Sequence, residues 1–127
     1  MAGRKINPTP TPKEISDGLL EARALMNGKG GRHWIKGQLT TMRWFGLRTP
    51  KQEQCYCSAG AILAAAGPNK RLATAMLKQL ASSIAGSRIM YRASAQTTIY
   101  GFNDSSNRVW VDVSRMFRQA AKEARLG

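Results

Sequence analysis

Three stretches of this 127-residue chain place apolar residues one helical turn apart, and that spacing constrains the fold more than any other feature. Ile15, Leu19, Ala22, Leu25 and Met26 make one stripe. Leu72, Met76, Leu80 and Ile84, with Leu77 beside them, make a second, and Val109, Val113, Met116, Phe117, Ala120 and Ala124 a third. At about 100° per residue the third set covers about one-third of a helix circumference. Each stripe needs a partner to hide it from water, and the length suits one core. The expectation is a mainly α, single compact domain of four to five helices over residues 12–127, preceded by an extended arm over 1–11.

Punctuation residues sharpen this outline. Asn7-Pro8-Thr9-Pro10-Thr11-Pro12 disfavours helix and favours an extended arm. Thr11-Pro12-Lys13-Glu14 reads as a capping box with proline at the first helical position, and Asn27-Gly28 as the end of that helix. Gln54–Ala66 is rich in alanine and stopped by Gly67-Pro68, which predicts a buried helix; Thr49-Pro50-Lys51-Gln52 would cap an earlier start. Asn69–Ala85 followed by Gly86 predicts another. Ile89-Met90-Tyr91 and Thr97-Thr98-Ile99-Tyr100 have β-type composition and predict a short hairpin near 88–101. Asn103-Asp104-Ser105-Ser106 then supplies N-caps for the last helix.

Onto this foldable pattern the chain adds an unusual charge: 20 Lys and Arg against 7 Asp and Glu, a formal net charge of +13. Small domains need a magnitude of only about two to eight for solubility. The excess costs self-repulsion and points to an acidic partner. On the wheel of the last helix, Arg108, Arg115, Arg118, Lys122 and Arg125 fall in one arc of about 100° away from the core. A second zone contains Lys29, Arg32, Lys36, Arg43 and Arg48, interleaved with His33, Trp34, Trp44 and Phe45 and free of acids. Cations there neutralise phosphates, while the aromatics read as core anchors. The first helix carries Glu14, Asp17 and Glu21 and is not expected to face a polyanion.

Catalytic patterns are sparse. Cys57, near a helix start, and His33, the only histidine, are the candidates for a thiol-dependent enzyme, with the helix dipole lowering the thiol pKa and Asn103 or Asp104 orienting the imidazole. Cys55, Cys57 and His33 lack zinc-ligand spacing and a fourth partner, so no metal and no cofactor is implied. Gly28-Lys29-Gly30-Gly31-Arg32 lacks the spacing of a phosphate loop and reads as a helix end followed by a flexible loop. No apolar run approaches the roughly 18 residues of a membrane span, and no apolar stretch follows Arg4 and Lys5 as a secretory signal would require. With two free cysteines, the expected location is the cytoplasm of a bacterial host, or a virion, rather than a secreted setting.

His33-Trp34 with Gly37, Cys57-Ser58-Ala59-Gly60-Ala61-Ile62, Phe102-Asn103-Asp104 and the final helix stand in an order that resembles a family of small uncharacterised proteins of actinobacteria and their phages. Those proteins carry W-x-x-G, C-x-x-G-A-I/L and W-N-D motifs. The similarity covers roughly residues 15 to 124. Here Phe102 replaces the Trp, and Val109-Trp110 stands where Arg-Thr is common. The resemblance implies a mostly helical fold and a phage or bacterial setting, and it implies no activity. Physically the motifs read as fold determinants, with Trp34 filling a core gap.

The functional expectation is therefore a small, basic nucleic-acid-binding protein that grips phosphates with little sequence selectivity. If about five phosphates are neutralised, log K should fall against log salt with a slope near −4 to −5. The alternative is a phage accessory protein, an inhibitor or assembly factor, docking on an acidic host or virion protein.

Overall fold

The computed structural model describes residues 8–31, 33–37 and 55–127. Five helices follow in order: α1 (Pro12–Gly31), α2 (Ser58–Ala66), α3 (Lys70–Ala85), α4 (Arg92–Asp104) and α5 (Trp110–Leu126). Among the described residues the only β-type pairing is one isolated bridge, Trp34 to Tyr56. The fold is mainly α, as the stripes require. Arm residues 1–7, including Arg4 and Lys5, lie outside the described residues, as do Arg32, Arg43, Trp44, Phe45, Arg48 and the Thr49-Pro50-Lys51-Gln52 cap.

The predicted capping box forms at α1, where the Glu14 amide donates to Thr11 Oγ1 and the Thr11 amide to Glu14 Oε1, both at 3.1 Å. Two orphan amides of the first turn are satisfied reciprocally. The helix does not stop at Asn27-Gly28 but runs to Gly31, so the glycine-rich segment through Gly31 is helical. Asn69 caps α3 through a bond from the Leu72 amide to its Oδ1 at 3.1 Å, and Gly86 ends it at φ 70°.

The hairpin expected near 88–101 is absent, and Thr97 to Asp104 lie in α4 instead. β-branched residues carry only a weak preference, and tertiary burial decides against it. Ala95, Ile99 and Asn103, spaced one turn apart, form the buried edge of α4. Ile89-Met90-Tyr91 leads into this helix without pairing as a strand.

Leu19, Ala22 and Met26 of α1 meet Ile62 of α2, Met76, Leu77 and Leu80 of α3, Ile99 of α4 and Val113 and Phe117 of α5 in one buried cluster. At about 1.5–3 kcal/mol for each large side chain removed from water, this cluster dominates the stability of the fold. α1 and α5 run antiparallel, and polar rungs set their register. Trp110 Nε1 donates to Asn27 Oδ1 at 3.2 Å, Arg23 Nε to Ser114 Oγ at 2.8 Å, and Arg125 Nε to Ser16 Oγ at 3.1 Å.

Candidate nucleic-acid interface

Two features compete as the functional centre: a buried polar junction where distant sequence segments meet, and a cationic face on α1 and α5.

The junction is built around Asn103, 0% exposed. Its Oδ1 accepts from Trp34 Nε1 at 2.7 Å, from the Ser58 amide at 2.9 Å and from Ser58 Oγ at 2.7 Å. Its Nδ2 donates to the Ile35 carbonyl at 3.0 Å and to Asp104 Oδ1 at 2.8 Å. Every donor faces the oxygen and both acceptors face the nitrogen, so the amide orientation is unambiguous. Asp104 Oδ1 also accepts from the Gly37 amide at 3.0 Å, and Gly37 adopts φ 80°, a conformation that side-chain-bearing residues rarely take. Thus Trp34 and Gly37, Cys57 and Ser58, and Asn103 and Asp104, drawn from three separate sequence segments, converge on one point.

This arrangement corrects the role expected for Asn103-Asp104. They end α4 rather than cap α5, and Asn103 caps α2 from outside by taking the first-turn amide of Ser58. The local cap of α2 is Cys57, whose Sγ accepts from the Gly60 amide at 3.4 Å. Sulfur is a weak acceptor, so the amide from α4 supplies what the local residue cannot. Helix α2 therefore starts at Ser58, later than the alanine-rich run suggested. Residues Cys55 to Cys57 lie outside any helix, and the Ile35 amide donates to the Tyr56 carbonyl at 3.0 Å. The α5 start is held by Asp112, whose carboxylate accepts from the Val109 amide at 3.2 Å.

The junction does not activate the thiol. Burial pushes the Cys57 thiol above its ordinary value, outweighing the lowering by the Gly60 and Ala59 amides. The lowering expected from a helix start is thus overturned by desolvation. The His33 ring sits against Gly28, close enough that a Cβ there would meet its Nδ1 at 2.5 Å. Among the described residues no group of three or more His, Cys, Asp or Glu could hold a metal ion.

The cationic side chains divide sharply. Arg115, Arg118 and Lys122 are exposed along one side of α5 and make no hydrogen bond or ion pair among the described residues. Arg108 does not belong with them. It precedes the helix, so its place on the wheel had no meaning, and its guanidinium lies 3.8 Å from the Phe102 ring centroid with Nε donating to the Phe102 carbonyl at 2.9 Å. Arg125 is held by Ser16 and by Asp17, at 3.2 Å. Lys36 lies over Trp34, 5.6 Å from the centroid, and donates to the Ser105 carbonyl at 2.8 Å. Lys29 lies within α1, its side chain outside what is described.

Sequence reasoning missed Arg23. It sits on α1, the helix set aside for its acids, four residues after buried Leu19 and therefore at the seam with α5. There Arg23, Arg115 and Arg118 line a recess of about 300 Å³ with Asn27, Trp110, Val111 and Ser114, and no carboxylate lines it. Ser114 holds Arg23 through Nε, leaving the two terminal nitrogens for another partner. The tilted Trp34 and Trp110 rings, 6.5 Å apart, couple the recess to the buried junction.

Most of the described acids are engaged within the fold. Among the described residues the two salt bridges share a single carboxylate, Asp17, which pairs with Lys13 at 2.8 Å and with Arg125. The Lys13 hydrogen bond, helped by Arg125, holds the Asp17 carboxyl below the usual range. Glu14, Asp104 and Asp112 hold backbone amides instead. Among the described residues, Arg115, Arg118 and Lys122 are left facing solvent.

No helix among the described residues is long and apolar enough to cross a membrane. No curated protein matches the chain, and no solved structure does. The pattern of one protein family matches residues 10–123, a span that takes in all three segments converging on Asn103. The chain belongs to that family, a family of unknown function designated DUF6197.

Proposed function

We propose that this protein binds nucleic acid through the phosphate backbone, using the face formed by α1 and α5. The observation that carries the reading is the recess bounded by Arg23, Arg115 and Arg118 with no carboxylate in its lining. Lys122 extends the same side of α5, one turn beyond Arg118. Guanidinium groups bind phosphate with paired, planar hydrogen bonds, and arginine keeps its charge at any physiological pH. Asn27 and Ser114 add uncharged polar groups, and among the described residues no element offers a base-reading helix in a recognised arrangement, which favours low selectivity for sequence. The actinobacterial or phage setting implied by the motif resemblance offers such a polymer.

Arg108 and Arg125 are engaged within the fold, so four cations rather than five define this contact. At about −0.9 per neutralised phosphate on duplex DNA, log K should fall with log salt at a slope of roughly −3.5. Anisotropy of a labelled 20-base-pair duplex between 50 and 300 mM NaCl reads this slope. The R115Q/R118Q double variant should flatten it by about 2. A wild-type slope shallower than about −1 would reject the proposal. So would a pull-down after nuclease treatment that retains one stoichiometric acidic protein, the result expected of a docking factor.

A further inference from the structure

The sequence from Gln54 to Asn103 contains no acid, yet it carries Lys70, Arg71, Lys78, Arg88 and Arg92. The fold gathers most of this charge on the outer side of α3. A recess of about 620 Å³ is lined by Lys70, Arg71, Lys78 and Arg88, together with Thr9, Pro10, Ile15, Thr74 and Ala75. Again no carboxylate lines it. Lys70 and Lys78 are two turns apart on α3, about 12 Å along its axis. The Arg92 guanidinium reaches back to Thr74 Oγ1 at 3.1 Å and fastens the start of α4 to the same wall. Immediately before Arg92 stands Tyr91, 74% exposed, and before that Met90, 55% exposed. Tyr91 thus stands in the chain between Arg88, which lines the groove, and Arg92, which is bonded to Thr74 of its wall, and its ring is largely open to solvent.

We infer that this groove is a second nucleic-acid contact, one that takes a single strand, with phosphates on Lys70, Lys78 and Arg88 and a base stacked on Tyr91. It rests on the proposed reading only for the class of partner and uses none of the same residues. Cationic grooves flanked by aromatics accept unpaired bases whatever their identity, because each base presents a π face, whereas a duplex keeps its bases stacked away from the ring. An adjoining recess shares Ala75, Lys78 and Arg88 but includes Glu123, so the phosphate path follows the acid-free side. Since this recess meets α1 at Ile15 and the other meets it at Arg23 and Asn27, the two contacts lie towards opposite ends of α1. The protein can then hold a single strand and a duplex segment together.

The test measures anisotropy of fluorescein-labelled dT12 and of the 20-base-pair duplex with the full-length protein. Tyr91→Ala should weaken dT12 binding between about 5- and 100-fold while leaving its salt slope and the duplex affinity unchanged. Tyr91→Phe should restore most of the loss. The K70Q/K78Q/R88Q variant should flatten the dT12 slope by about 2, at roughly −0.7 per phosphate. Circular dichroism confirms that these surface variants are folded. Loss of dT12 affinity within twofold for Tyr91→Ala, or an equal loss for duplex and dT12, overturns the inference. Duplex binding that disappears only with R115Q/R118Q, while dT12 ignores the α3 changes, leaves the α1–α5 reading standing and removes this one. Intact dT12 binding with no duplex binding does the reverse.

Discussion

Asn103 is the residue whose replacement should harm the fold most for its size. In N103A the two Ser58 donors lose their acceptor, and Ser58 is 0% exposed, so water cannot replace it. Each buried, unsatisfied donor costs about 1–3 kcal/mol. Trp34 Nε1 and the Ile35 carbonyl are half-buried and recover part of their loss from solvent. With the small void left behind, the total comes to about 3–5 kcal/mol, a large share of the roughly 5–15 kcal/mol that holds a domain together. Urea unfolding followed by circular dichroism should show the midpoint fall by about 1–5 M, given a slope of about 1–3 kcal/mol per M. N103D gives a sharper signature, because the new carboxyl keeps the acceptor but puts a charge where Nδ2 now donates to Ile35 and Asp104. Its folded pKa would lie above the unfolded carboxyl value of about 4. Stability is then greatest below that value and lost as pH rises through the folded pKa, so N103D should be worse, relative to wild type, at pH 7 than at pH 4. A loss below about 1 kcal/mol for N103A, or a pH-independent penalty for N103D, would refute the claim that the junction holds α2 and α4 together.

Two further outcomes separate structural cations and thiols from functional ones. Arg108→Ala should lower stability by about 1–2 kcal/mol, through loss of the half-buried stack on Phe102, while leaving the salt slope for duplex binding unchanged. Cys57, its thiol pKa raised by burial, stays neutral in the fold after the unfolded chain's thiol has ionised near pH 9. Stability is thus complete below that pH and declines as pH rises through the folded pKa, and Cys57→Ser, which keeps a cap acceptor but does not titrate, should show a smaller decline between pH 8 and 10.

The separation of charge by role explains why a strongly basic chain can still fold. Glu14 and Asp112 occupy helix starts and Asp104 the turn at Gly37, where each holds a backbone amide, while Asp17 pairs with Lys13 and Arg125. The cations of the α1–α5 recess stand at the surface, where solvent and salt screen part of their mutual repulsion. Arg108 and Arg125, which resemble the others in sequence, work as packing and register residues. Net charge alone therefore overstates the contact, and the steepness of the salt dependence is the measurement that counts the cations in use.

Local information determined the helices with caps and stripes. The Thr11–Glu14 box, the Asn69 cap, the Gly86 stop and most core positions of α3 and α5 were legible, because the interactions that define them lie within one or two turns; Val109, read as the first residue of the α5 stripe, instead precedes the helix and is 55% exposed. Helix α4 was not. Thr97, Thr98 and Ile99 prefer extended backbone, and the burial of Ala95, Ile99 and Asn103 against other helices outweighs that preference. The same holds for the sites. That the W-x-x-G, Cys-Ser and Asn-Asp segments would share one amide, that Arg23 would join Arg115 and Arg118, and that Arg108 would turn inward onto Phe102 depended on contacts between residues far apart in the chain. A single sequence carries composition and period, but which side chains end up facing each other is decided only when the helices choose their neighbours.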